Sequence, residues 1–343
     1  MHIAWLGKKS PFCGNVTYSR EVTNALLDRG YQVSFLHFAQ EAELDRNKAA
    51  WSMANRKQGA EIAQTSSLKK YSHSLAPASC NEVSLPCLYK SQIYTIPTFK
   101  SSKVLMKSLR RLKPDVVHAS LTLSPLDFLL PEICQELNLP LVATFHPPFD
   151  RKLRNLTSGT QHLMYQLYAP FLAHYDSTIV FSQIQRDILV KLGVPEERVA
   201  VIPNGVDAVK YSPGPSGLKS ELKADRIFVY QGRIAPEKNV ESMLKAWKQC
   251  NFGPGNLLAL VGNGPLAASL QQSYGATDGI VWLGFIADEE RRIEILRGAD
   301  VFILPSLVEG LSLSLLEAMA CGLACLADRK SVRVGKECRS RWS

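Results

Sequence analysis

Two cations five residues apart, Arg233 and Lys238, stand in the stretch QGRIAPEKNV, residues 231–240. It follows an apolar run and precedes a helical one. Both side chains, with the free N–H groups of a helix start, could hold a diphosphate by charge-assisted bonds. Pro236 suits a first helical turn, whose N–H is unpaired in any case. A solvated basic turn would use the same residues. Farther on, LPSLVEGLSLSLLEAMACG (304–322) carries Glu309 in a loop after a strand and Glu317 eight residues later, within the next helix. A carboxylate near a helix N-terminus can accept from sugar hydroxyls, and a deeper one from a ribose diol. Alternatively Glu309 complements the helix dipole and Glu317 lies on a solvated face. Leu313, Leu316, Met319 and Ala320 form the apolar side of that helix, and Gly310 permits an unusual backbone conformation.

Three further loops carry weaker signals. GKKSPFCG (7–14) joins a strand to a helix, where backbone N–H groups bind anions. It is not GxGxxG, and the strand at 32–38 does not end in the acid of a ribose-binding nicotinamide site, which argues against a dehydrogenase. LVGNGPL (260–266) offers Gly262 and Gly264 for close backbone approach or for a plain turn. His118 and His146 end strands at PDVVHAS and LVATFHPPF, a position that fits a cleft as well as a packed or capping imidazole.

These residues need a frame. Short apolar strands alternate with amphipathic helices, which predicts parallel sheets covered on both faces. Strands are expected at 2–6, 32–38, 115–118, 141–145, 177–181 and 199–202, then at 227–231, 257–261, 280–283, 301–304 and 323–327. Helices are expected at 126–137, 161–174, 183–192, 240–248, 289–297 and 313–321, besides one ending at Gly30. Residues 41–90 are rich in Ser, Ala, Gln and Lys and predict a surface excursion. The whole reads as α/β, two doubly wound domains facing each other across a linker near Pro203. Ligands of such sheets bind beyond the carboxyl ends of the strands.

A chain of 343 residues suits two domains, and 46% hydrophobic with 21% charged residues excludes disordered, collagen-like and coiled-coil classes. No apolar run approaches the roughly 18 residues of a membrane span. The N-terminus lacks the layout of a signal peptide, and the eight cysteines show no CxxC pair, so reduced thiols and a cytoplasmic location are expected. The net charge of +9 is concentrated in residues 90–113, with seven basic residues and no acid, and in the last fifteen residues. Either cluster suits an anionic lipid surface or phosphates.

Taken together, VIPNGVD (201–207), GRIAPEK (232–238), LVGNGP (260–265) and EGLSLSLLEAMACG (309–322) resemble the retaining glycosyltransferases of family 4. That resemblance implies the GT-B fold, with domains at 1–205 and 206–328 and an insertion at 41–81. SPFCGNVTYSREVTNALLDRG, YKSQIYTIPTFK and HASLTLSPLDFLLPEIC are similar to a cyanobacterial branch that includes digalactosyldiacylglycerol synthases. The implied roles are Arg233 and Lys238 on the donor diphosphate, Glu317 on the ribose, and Glu309 with Gly310, Leu311 and Ser312 on the donor sugar. His146 stands near that sugar, Gly14 near phosphate, Gly232 and Gly262 in the donor site, and Phe285 with Ile286 around the base. The family's usual double glycine is Cys13–Gly14 here.

The expected reaction moves a hexose from a UDP-sugar, a substrate, to a membrane glycolipid such as monogalactosyldiacylglycerol. The alternatives are a soluble saccharide acceptor or a non-catalytic relic that keeps the donor site. No DxD motif occurs, so no metal or other cofactor is expected, nor a nucleic-acid partner. The sequence FKSSKVLMKSLRRLK puts Lys100, Lys103, Lys107, Arg110 and Arg111 at helical spacing opposite Val104, Leu105, Leu109 and Leu112. Such a helix can lie on an anionic membrane, giving peripheral association, or be an ordinary surface helix. Residues 329–343 are basic and aperiodic where the family continues with further elements. The expectation is a C-terminal domain cut short, an unpaired edge strand and low stability.

Overall fold

The computed structural model describes residues 1–11, 13–40, 81–147, 156–307 and 309–327. The chain forms two compact units. One is built from Met1–His146, Met164–Val180 and Arg186–Val201; the other consists mainly of the chain from Ile202 onward.

The first unit holds strands β1 (His2–Gly7), β2 (Gln32–Gln40), β3 (Asn81–Lys90), β4 (Thr95–Pro97), β5 (Val116–Ser120), β6 (Leu141–Thr144), β7 (Ser177–Val180) and β8 (Val199–Val201). They form one sheet in the order β4-β3-β2-β1-β5-β6-β7-β8, parallel except for the antiparallel edge pair β3–β4. Along the chain come α1 (Gly14–Asp28), α2 (Ser101–Leu112), α3 (Pro125–Glu136), α4 (Leu156–Leu172) and α5 (Gln183–Lys191). β1 is buried from Ile3 to Gly7 and β2 from Val33 to Ala39, the continuous burial of strands covered on both faces.

The second unit holds β9 (Arg226–Gln231), β10 (Asn256–Val261), β11 (Ile280–Gly284), β12 (Val301–Leu304) and β13 (Ala324–Ala327), all parallel, in the order β11-β10-β9-β12-β13. Helices α6 (Leu218–Leu222), α7 (Val240–Cys250), α8 (Ala267–Ser273), α9 (Glu289–Gly298) and α10 (Leu313–Ala320) alternate with them. One core cluster joins Ile227, Val229, Ile295, Phe302 and Ala318; a second joins Tyr230, Leu244, Trp247 and Leu260 on α7 and its neighbours. Among the described residues β13 is an edge strand, and its Leu326 is exposed.

In both sheets the chain reverses its direction of strand addition. The reversal falls between β1 and β5 in the first and between β9 and β12 in the second. Loops beyond the carboxyl ends of strands at such points are where open α/β sheets bind ligands.

The strand pattern departs from the sequence reading at one edge of the first sheet. Residues 81–90, expected within a surface excursion, form β3, with Val83, Leu85 and Cys87 buried in alternation. The apolar period of two is real but short, and Pro86 argues locally against a strand. The expected insertion at 41–81, apart from Asn81, and the tail at 329–343 lie outside the described residues.

Candidate functional site

In the second unit the site grows from the loops after β9 and β12. Gln231 ends β9, and Gly232 and Arg233 follow it. Residues Pro236–Lys238 form a single 3-10 turn, and Asn239, at φ 53°, separates it from α7. Lys238 therefore stands on its own turn ahead of the helix rather than at the helix start expected from sequence. Two bonds fasten this turn to the neighbouring loop: Leu307 N–H donates to the Glu237 carbonyl (3.0 Å) and Asn239 Nδ2 donates to the Pro305 carbonyl (3.3 Å).

That lacing brings Lys238 to Glu309, with Nζ donating to Oε1 over 2.5 Å. Ser306 Oγ donates to the same oxygen (2.8 Å). Arg233 pairs with Glu237, one helical step away, so each cation of the expected diphosphate pair faces a carboxylate. Gly310 takes no left-handed conformation, contrary to the sequence reading, and a Cβ there would meet nothing within 4 Å. Ser312 caps α10 by accepting from Leu315 N–H, and the Leu311 carbonyl accepts from Asn204 Nδ2 (3.0 Å).

Glu317 is a buried residue of α10. Its Oε2 accepts from Gln231 Nε2 over 2.8 Å, so the solvated-face alternative does not hold. Gly262, at φ 140°, has another reason to be glycine: a Cβ would lie 1.9 Å from the Gly232 carbonyl oxygen. The loops after β9 and β10 touch backbone to backbone there, through Gly232 N–H on the Val261 carbonyl (2.9 Å). Phe285 is exposed, and Ile286 packs on the core beneath it. Arg292 Nη1 holds this segment by donating to the carbonyls of Ile286 (3.0 Å) and Ala287 (2.8 Å).

In the first unit a polar chain runs across the ends of β5 and β6. Asn15 Nδ2 donates to the Leu121 carbonyl (3.0 Å), which turns its Oδ1 toward Ser120. Ser120 Oγ donates to that Oδ1 (2.9 Å) and lies 2.8 Å from His146 Nε2. With the Ser120 proton committed to Asn15, His146 donates from Nε2. Its imidazole stays neutral: burial first, then the His118 and Lys8 charges, push its pKa down to about 3. His118 is also pushed down to about 3 by burial; it stacks on Trp5 at 4.0 Å and meets Thr144 Oγ1 at 2.8 Å. Gly14 opens α1, and a Cβ there would meet nothing within 4 Å.

The basic segment forms α2, with Leu105 and Leu109 buried and Lys103, Lys107 and Arg111 exposed. Lys100 precedes it, and Arg110 pairs with Glu136 of α3 at 2.7 Å. Sequence reasoning missed Gln231, Asn204, Ser120 and Asn15. Asn204 lies inside the VIPNGVD motif and Gln231 opens QGRIAPEKNV, whereas Ser120 and Asn15 are polar residues at a strand end and a helix start without a distinguishing pattern. Among the described residues no helix is long and apolar enough to cross a membrane.

Comparison with known proteins places the chain in a family and a fold. Residues 13–210 match the family described as Glycosyltransferase Family 4, and residues 219–332 match Glycosyl transferases group 1. A UDP-Gal:alpha-D-GlcNAc-diphosphoundecaprenol alpha-1,3-galactosyltransferase of Escherichia coli is 30% identical over 269 residues, which is 74% of this chain and 65% of that protein. The sulfoquinovosyl transferase SQD2 of Arabidopsis thaliana is 25% identical over 72% of this chain and 48% of its own length. Both matches thus span less than two thirds of the relative. The crystal structure of Anabaena HepE in complex with UDP-glucose superposes with a TM-score of 0.67 at 17% identity, over 95% of this chain and 80% of that one. This likeness shows the GT-B fold. Because the first of these family models covers more than half of the chain, the chain belongs to glycosyltransferase family 4.

Proposed function

We propose that this protein is a retaining hexosyltransferase that moves a hexose from a UDP-sugar to a membrane glycolipid, such as monogalactosyldiacylglycerol. The carrying observation is the Lys238–Glu309 pair on the loops at the reversal point of one sheet, with Arg233 on the same loop as Lys238 and Glu317 buried in the helix that follows Glu309. The E. coli relative is named for a UDP-galactose donor and a lipid-linked acceptor, which supports both halves of this reading.

In this reading the bond between the hexose C1 and the β-phosphate oxygen breaks, and UDP leaves with the electron pair. The acceptor hydroxyl oxygen bonds C1 from the face that UDP vacates, and its proton passes to the departing phosphate oxygen. Arg233 and Lys238 turn from their carboxylates to the diphosphate and stabilise the leaving charge, taking the role a metal has elsewhere. Glu309, released from Lys238 but still bonded to Ser306, accepts from the sugar hydroxyls. Glu317 takes the ribose diol. His146, neutral and donating from Nε2, is a hydrogen-bonding group rather than a base. The cations of α2 bring the first unit to an anionic membrane surface.

UDP release from UDP-galactose and from UDP-glucose, each with and without monogalactosyldiacylglycerol, tests this. Lipid-dependent release with labelled hexose on the lipid is expected. Transfer to soluble saccharides alone would overturn the lipid acceptor. UDP binding without turnover would reduce the chain to a binding protein.

A further inference from the structure

The β3–β4 hairpin and the residues after it expose a run of large apolar side chains: Leu88, Tyr89, Ile93, Tyr94, Ile96 and Phe99, the last fully exposed. Tyr89 faces Ile96 across the hairpin, and its ring lies 5.6 Å from that of Tyr94. Concentrated apolar surface of this kind marks a contact site.

The hairpin is built to stand firm. Ser91 N–H donates to the Tyr94 carbonyl (2.9 Å), and its hydroxyl accepts from the N–H groups of Ile93 (3.2 Å) and Tyr94 (3.1 Å). Behind the turn, the buried Lys8 donates from Nζ to the carbonyls of Ser91 (3.2 Å) and Gln92 (3.1 Å). Lys90 Nζ donates to Ser10 Oγ (2.6 Å). The apolar tip is thereby fixed to the loop of residues 7–14, which leads into α1.

Charge decides the occupant. No acid occurs between Glu82 and Asp115, while Lys100 and the exposed cations of α2 follow Phe99 directly. An apolar protein partner would not require so one-sided a field. A bilayer with anionic headgroups matches both features, because aromatic rings favour the interface and lysines the headgroups. We infer that the β3–β4 hairpin, with Phe99, inserts into the interface of an anionic bilayer, and that the α2 cations add attraction without supplying the anchor. The inference rests on the membrane-acceptor reading but commits to a distinct element and mode of binding.

The test is co-sedimentation of the full chain with phosphatidylcholine vesicles, with and without phosphatidylglycerol, at low salt and at about 0.5 M NaCl, where exposed charges are screened. A salt-resistant bound fraction on the anionic vesicles is expected. The Ile93→Ser/Phe99→Ser variant should partition at least about tenfold more weakly, with its unfolding temperature and UDP binding unchanged. The Lys103→Ser/Lys107→Ser variant should lose only the salt-sensitive part. Complete release of the wild type by salt, equal binding by the Ile93→Ser/Phe99→Ser variant, or dimerisation through this face without vesicle binding would each overturn insertion. Turnover is read separately on a short-chain, water-soluble acceptor. A chain that partitions without turnover sinks the transferase reading alone, and one that turns over without partitioning sinks this one alone.

Discussion

Gln231 Nε2 donates to Glu317 Oε2 over 2.8 Å, and both residues are only 8% exposed. The bond links the last residue of β9 to the middle of α10, so the end of one strand orients a carboxylate on the helix that follows another. A carboxylate taken out of water needs such a donor, and hydrogen bonds to charged groups contribute about 1.5–3 kcal/mol. Gln231→Leu should therefore lower stability by about that amount and weaken UDP binding by roughly tenfold. Calorimetry on the folded variant decides the matter. Unchanged UDP affinity would remove Glu317 from the ribose.

Lys238 and Glu309 make opposite demands on a mutant. Lys238 is 23% exposed and Glu309 only 10%, though Ser306 still bonds the carboxylate, so losing the ion pair should lower stability by about 1–3 kcal/mol. Loss of a cation aimed at a leaving diphosphate is a transition-state effect, worth about 10²–10³ in rate. Lys238→Ala should thus stay folded with a modestly lower unfolding temperature while UDP release under saturating donor falls by that factor. Excess chelator, by contrast, should leave the wild-type rate unchanged. A rate that drops on chelation would mean that Arg233 and Lys238 do not carry the charge alone.

Two glycines of the motifs separate fold from function. Gly262→Ala would force a Cβ onto the Gly232 carbonyl at a φ of 140°. Such strain costs about 1–3 kcal/mol or displaces the loop, so reduced solubility or a lower unfolding temperature is expected. Gly310→Ala meets open space at an ordinary φ and should fold as the wild type does. If Gly310 lies against the donor sugar, the variant should raise the KM for UDP-hexose. Wild-type kinetics would place the sugar elsewhere.

How much of this was legible in the sequence follows from what each residue has as neighbours in the chain. β1 and β12 announce themselves as unbroken apolar runs between loop residues, and Arg233, Lys238 and Glu309 stand in motifs at fixed distances from such runs. Ser120 and Asn15 do not, because only the adjacency of β1 and β5 brings residues so far apart in the chain to 2.9 Å. β3 was hidden for a different reason. Its period-two pattern spans only Val83, Leu85 and Cys87, and Pro86 lies inside it. The apolar tip was hidden too, because exposure at Ile93 and Phe99 depends on what packs beside them.

The last prediction concerns acid. His118 and His146 have pKa values pushed down to about 3 by burial, below the ordinary 6.5. The unfolded chain therefore takes up these two protons first as pH falls. Their stabilising contribution is whole above about 6.5 and declines below it by about 1.4 kcal/mol per pH unit for each ring. Asp127 opposes this. Burial raises its carboxyl to about 6, so between about 6 and its ordinary 3.8 the folded chain binds a proton that the unfolded one does not. One ring's loss is offset in that window and the other's remains. Both rings keep some solvent contact, which tempers the sum to roughly 2 kcal/mol between pH 7.5 and 4.5. Urea unfolding at the two pH values measures it, and His118→Asn, which leaves one ring for Asp127 to offset, should lose most of the wild-type difference. Equal stability at both pH values would mean that the imidazoles are not held neutral. His146 would then again be a candidate base, with an inflection near 6.5 in the pH dependence of kcat/KM.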